Sequence, residues 1–203
     1  MSGSADESSR WSSLQLDALR EVGNVGCGCA AGALARLLSG RRIESELPAS
    51  AELGPDAFGR LLGTGAEALW VAELDLREGL SGRLFCAVPP RAADELLERL
   101  LPEGGAAGTA LSALSEAANI LASAYLDGVA ALTGRPVVPS PPRVERRRAA
   151  DLDRAFMESP SSGSVAVATW FHATGDHPFR ACLVFVPTSA SLGDLFSWLR
   201  LSA

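Results

Sequence analysis

Two short stretches of this 203-residue chain carry side chains whose type and spacing suit chemistry. Asp17, Glu21 and Asn24 stand at i, i+4 and i+7, a spacing that puts all three on one stripe of a helix. Ser112, Glu116 and Asn119 repeat that spacing further along the chain. A carboxylate on such a stripe can pair with a cation brought by a partner. A carboxamide can hold a water, accepting one hydrogen bond through its oxygen and donating others through its NH₂. One such pair on a helix usually meets nothing but solvent. Its recurrence at an identical spacing sets these two apart.

Other reactive residue types lack the company that chemistry would need. Ser140 sits in a proline-rich PSPP run without the glycine-flanked turn of a hydrolase nucleophile. His172 and His177 flank a hairpin turn, and neither has a Cys or acidic residue at ligand spacing, so a surface role is expected for both. Cys27 and Cys29 form a CxC with no second pair and no nearby His, which argues against zinc and for small core residues. No metal site is expected. Cys86 and Cys182 complete a set of four thiols that need not pair in a reducing compartment.

The elements that carry the two stripes belong to a repeat. LDALREVGNVG at 16–26 aligns without a gap on LSALSEAANIL at 111–121, at an offset of 95. Each opens a long helical run, closed by glycine at LLSG (37–40) and at LTG (132–134). Within the first run, Gly23, Gly26 and Gly28 cost roughly 1 kcal/mol each relative to Ala. Close backbone approach is the expected reason, by internal packing in preference to a docked partner.

Downstream, FCAVPPRAADELLERLL at 85–101 resembles LVFVPTSASLGDLFSWL at 183–199 at an offset of 98, each a strand, a proline turn and an amphipathic helix. EALWVAELDL (67–76) and SVAVATWFHA (164–173) are strands in corresponding places, and GLSG (79–82) and TGDHP (174–178) are hairpin turns that imply antiparallel pairing. Short helices near 55–62 and 151–157 occupy the same connection in both copies. A three-stranded half would expose an apolar face and an open edge, so the halves should share one sheet.

The expected architecture is therefore α+β, layered. It is an internally duplicated single domain with a six-stranded antiparallel sheet, two long helices packed on it and pseudo-two-fold symmetry. Residues 1–10 read as a disordered tail and 11–203 as the domain, with repeat one at 14–101, repeat two at 109–200 and PEGGAAG (102–108) between them.

Bulk properties exclude several roles. The net charge is −6, and all 18 basic residues are Arg, so no nucleic-acid partner is expected. Arg143, Arg146, Arg147 and Arg148 form one positive cluster, which reads as a solvated loop face in preference to a docking patch. The N-terminus lacks the basic and apolar regions of a secretion signal. Apolar runs such as AAGALARLL fall short of the roughly 20 residues that span a bilayer, so a cytoplasmic location without membrane insertion is expected.

The two stripes resemble the motif of the CheC, CheX and FliY phosphatase family: Asp or Ser, three residues, Glu, two residues, Asn, about 22 residues, then Pro. Ser112, Glu116 and Asn119 are followed by Pro142 after 22 residues, whereas Pro48 follows Asp17, Glu21 and Asn24 after 23. The likeness extends across most of residues 14–200 and is nearest to CheC. CheX has one motif copy and works as a dimer, and FliY carries an additional domain. The resemblance implies a protein phosphatase of bacterial chemotaxis that hydrolyses the aspartyl-phosphate of a CheY-like response regulator. Asn24 and Asn119 would place the attacking water. Glu21 and Glu116 would pair with the regulator's active-site lysine, and Asp17 and Ser112 would support them. No cofactor of its own is implied, since the bound regulator supplies Mg²⁺. The chain should be a monomer, with CheD as a further candidate partner. The alternative is a CheC-like module that binds a phosphorylated regulator, or CheD, without turnover.

Overall fold

A computed structural model describes residues 11–52, 56–62, 67–101, 107–157, 165–173 and 179–200. The expected tail at 1–10 and the TGDHP turn lie outside them. Helix α1 spans Ser13–Leu37 and begins at a capping box, in which Ser12 accepts from the Gln15 backbone N–H and the Gln15 side chain accepts from the Ser12 backbone N–H. Then come β1 (Glu44–Ser45), β2 (Ala49–Glu52), α2 (Ala57–Leu62), β3 (Leu69–Glu78), β4 (Gly82–Val88) and α3 (Pro90–Leu100). The second half repeats the order with α4 (Ala107–Thr133), β5 (Val138–Pro139), β6 (Arg143–Arg147), α5 (Ala149–Met157), β7 (Val165–Ala173), β8 (Phe179–Pro187) and α6 (Ser189–Trp198). The two long helices stop where expected, at Gly40 (φ 83°) and Gly134 (φ 68°), whose positive φ an L side chain would resist.

All strand pairs are antiparallel, in the order β1-β7-β8-β4-β3-β5, with β2 also on β7 and β6 also on β3. The expected mixed domain with an antiparallel sheet is present, but the count of six strands needs correction. Among the described residues the sheet has 8 strands, because each edge is broken in two. Pro48 lies between β1 and β2, and Pro141 and Pro142 lie between β5 and β6; a proline has no N–H for the ladder. The edges are also exchanged. β1 and β2 of the first half pair with β7 of the second, while β5 and β6 of the second half pair with β3 of the first. Neither half closes its own sheet.

Strand alternation divides the core in two. Leu74, Leu84, Leu183 and Phe185 face the layer of α1, α3, α4 and α6, whereas Val71, Phe85, Val184 and Trp170 face α2 and α5 with Phe58 and Leu152. These faces fix how the halves correspond. The pair Trp70↔Val88 in the first hairpin matches Val167↔Phe185 in the second, an offset of 97 that keeps each residue on its face. The offset of 98 read from the sequence would exchange the faces. The helix caps Pro89 and Thr188 are 99 apart, so the sequence alignment averaged a strand register and a helix register. The motif helices cross at a close backbone approach. A Cβ on Gly128 would lie 2.9 Å from Gly26 Cα and 2.9 Å from Val25 O, so only small residues allow this spacing.

Candidate functional site

Each stripe lies on the early turns of its long helix, ahead of the crossing. Leu19, Val22 and Ala30 turn into the core on α1, and Leu114, Ala118 and Tyr125 do so on α4. That burial fixes the opposite faces outward. Asp17, Glu21, Asn24, Ser112 and Glu116 are exposed and Asn119 is half-buried. Among the described residues, neither Glu21 nor Glu116 has an ion-pair partner, and neither Asn24 nor Asn119 has a side-chain hydrogen bond within the chain. These four side chains are therefore available to a partner without first breaking an internal bond. The supporting positions are engaged. Asp17 Oδ1 lies 2.8 Å from Arg20 Nη1, and Ser112 Oγ donates to Gly108 O at 3.0 Å, one turn back.

The two copies differ around their prolines. Pro142 borders Ser112, Ser115 and Glu116 across an open groove. Pro48 is not its structural counterpart. It is buried beneath α1, where a Cβ on Gly23 would stand 3.2 Å from Pro48 Cβ and 2.8 Å from Val167 Cγ1. Pro48 directly precedes the Ala49↔Ala168 pair, which sets it beside Thr169; the matching position in the other half is Ala72, which pairs with Val144. Pro48 thus takes the place of Val144, two residues along the edge from the place of Pro142. That shift keeps the proline on the helix side of the sheet but carries it from the groove into the core. In the second copy a small apolar cavity of ≈ 20 Å³ remains at this place, lined by Trp70, Ala72, Ala118 and Val144 among others.

The helix glycines divide accordingly. Gly23 makes room for Pro48 and Val167, and Gly26 for Tyr125, while nothing lies within 4 Å of a Cβ on Gly28. Internal packing, the expected role for all three, therefore holds for two of them. Cys27, Cys86 and Cys182 are buried, but Cys29 is exposed and so departs from the expected core role. Burial pushes the Cys27 thiol up to about 11 and the Cys86 thiol up to about 12. Both stay protonated and unreactive at neutral pH.

The arginine cluster is largely exposed, as expected, but most of it lies on a strand and not in a loop, and part of it is ion-paired. Arg143 and Arg147 lie on β6, where Arg143 reaches Asp75 at 3.0 Å and Glu73 at 3.5 Å, and Arg147 reaches Glu73 at 3.3 Å and Glu145 at 2.9 Å. Arg83 adds a third cation to Glu73 at 3.2 Å. Arg146 lies over the Trp70 ring, 5.7 Å from its centroid. Sequence reading also missed the partner of His172, whose Nε2 is 2.5 Å from Glu46 Oε1 at the β1–β7 edge. Only the strand pairing brings those two together. His177 lies outside the described residues. Among the described residues, no group of three or more His, Cys, Asp or Glu could hold a metal ion, and no helix is long and apolar enough to cross a membrane.

The CheC-like family model matches residues 110–146, from the second stripe through β6. The CheY-P phosphatase CheC of Bacillus subtilis is 33% identical over 195 residues, covering 90% of this chain and 92% of that protein. Among solved structures, Thermotoga maritima FliY superposes with a TM-score of 0.69 at 18% identity, over 96% of this chain and 100% of that one. CheX in the CheX–CheY–BeF3–Mg complex of Borrelia burgdorferi gives 0.54 at 15% identity, over 80% and 96%. The FliM middle domain of Helicobacter pylori gives 0.58 at 10% identity, over 93% and 99%. These structural likenesses describe the fold.

Proposed function

The chain belongs to the CheC-like family, and from that premise we propose that it hydrolyses the aspartyl-phosphate of a CheY-like response regulator. The observation that carries the reading is the pair of Glu/Asn stripes, exposed except for the half-buried Asn119, whose four polar groups have no partner among the described residues. Acyl-phosphate hydrolysis needs a water in line with phosphorus more than it needs a new nucleophile. Asn24 or Asn119 accepts a hydrogen bond from that water and holds it. The water oxygen bonds to phosphorus, the P–O bond to the regulator's aspartate breaks with its electrons left on the carboxylate, and a water proton passes to the departing phosphate. Glu21 or Glu116 pairs with the regulator's active-site lysine and fixes the approach. Asp17 and Ser112 support the first turn of each stripe. Mg²⁺ arrives with the regulator, so this chain contributes no metal ligand to the step.

The test is loss of phosphorylated regulator in the presence of catalytic amounts of this protein. Multiple turnovers support the phosphatase. Protection of the phosphorylated regulator at one-to-one stoichiometry would replace it with a non-catalytic binding module.

A further inference from the structure

The face of α4 that bears Glu116 borders an open groove of ≈ 350 Å³, walled by Leu111, Ser112, Ser115 and Glu116 from the helix and by Pro142 and Val144 from the sheet edge. Its walls are chemically divided. Leu111, Pro142 and Val144 offer aliphatic surface, while Glu116 offers a carboxylate with no ion-pair partner among the described residues. A long cationic side chain has the matching division, with a methylene stem and a charged end. The first stripe differs at this point. Its residues corresponding to Ser112 and Ser115 are Asp17 and Arg20, joined at 2.8 Å. Arg20 is thus held on Asp17, and a long side chain stands on the turn where Ser115 leaves the second stripe open.

Resting on the phosphatase reading, we propose that Ser115 and Arg20 decide which of the two stripes the regulator prefers. Ser115 keeps the second groove open for a Lys or Arg side chain of the regulator, its charge at Glu116 and its stem along Leu111, Pro142 and Val144. Arg20, held on Asp17, occupies the equivalent turn of the first stripe. The second site is accordingly the tighter of the two.

The experiment isolates each site by disabling the other. In an Asn24→Ala background, where turnover reports the second site, Ser115→Arg should raise KM for the phosphorylated regulator about tenfold with kcat within about twofold. In an Asn119→Ala background, where turnover reports the first site, Arg20→Ser should lower KM. Leu111→Ala, which removes part of the aliphatic wall, should raise KM at the second site. Arg is a good helix former, and circular dichroism checks that each variant is folded. Binding of a beryllofluoride-activated CheY-like regulator is measured in parallel on the same variants. An unchanged KM and unchanged binding for Ser115→Arg, or a fall confined to kcat, overturns the groove assignment while leaving the phosphatase reading intact. If the unmodified protein shows no turnover, the phosphatase reading fails, and weaker binding of the activated regulator by Ser115→Arg still sustains the groove.

Discussion

The ring of Tyr125 on α4 lies against the backbone of Gly26 on α1, so close that a Cβ on Gly26 would stand 2.6 Å from Tyr125 Cε2. Tyr125 is itself 1% exposed, and its ring lies 5.9 Å from that of Phe185. The ring has no free direction in which to retreat, and the helix that carries Asn24 is thereby set against the helix that carries Asn119.

Gly26→Ala should therefore destabilise the fold by about 1–3 kcal/mol, as overpacking of a filled core does, despite the gain in helix propensity. Gly28→Ala meets nothing within 4 Å and should have the opposite sign, a stabilisation of up to ~1 kcal/mol. Chemical denaturation of the two variants side by side reads the contrast; equal effects would remove the crossing argument.

Loss of one water-positioning group at a single site commonly costs about 10²–10³ in rate. With two equal and independent sites, Asn24→Ala or Asn119→Ala should each lower total turnover about twofold, and the double variant should show the full loss. Asn119→Ala should hurt more, because its stripe keeps both the proline spacing and the open groove. Steady-state phosphate release measures all three, and near-normal activity in the double variant would refute the mechanism.

Glu21→Ala combined with Glu116→Ala should weaken binding of the phosphorylated regulator more than the double Asn variant does. The carboxylates are assigned to docking and the carboxamides to the water. Titration calorimetry with an activated regulator gives both affinities, and the reverse order would exchange the two roles.

Thiol chemistry tests the burial pattern. Cys29 alone should react rapidly with an aromatic disulfide reagent at pH 8, with Cys27, Cys86 and Cys182 reacting only on unfolding. The Cys27 thiol is raised from 9.0 to about 11 in the fold, so the folded state holds its proton more tightly than the unfolded state. The associated stability is fully present below pH 9 and is lost as pH rises from about 9 towards 11. Melting temperatures across that range should fall, and Cys27→Ala should make the fall shallower.

Much of this molecule was legible in residue order. The spacing of Asp17, Glu21 and Asn24, repeated at Ser112, Glu116 and Asn119, is a local property of helices, and burial of Leu19, Val22 and Leu114 on the other side was enough to turn both stripes outward. The glycine stops at Gly40 and Gly134 are equally local. What depended on tertiary structure was every relation between distant segments. A strand's choice of neighbour is not written in its own alternation, so the exchange of β1 and β2 onto β7, and of β5 and β6 onto β3, emerged only in the sheet. The same pairing joined His172 to Glu46 and Arg147 to Glu73. It also gave the two prolines different places, because a proline's neighbours follow from its register against the next strand and not from its distance to an Asn along the chain. Pro48 lies at the register position of Val144 and packs under Gly23, while Pro142 stands beside Glu116.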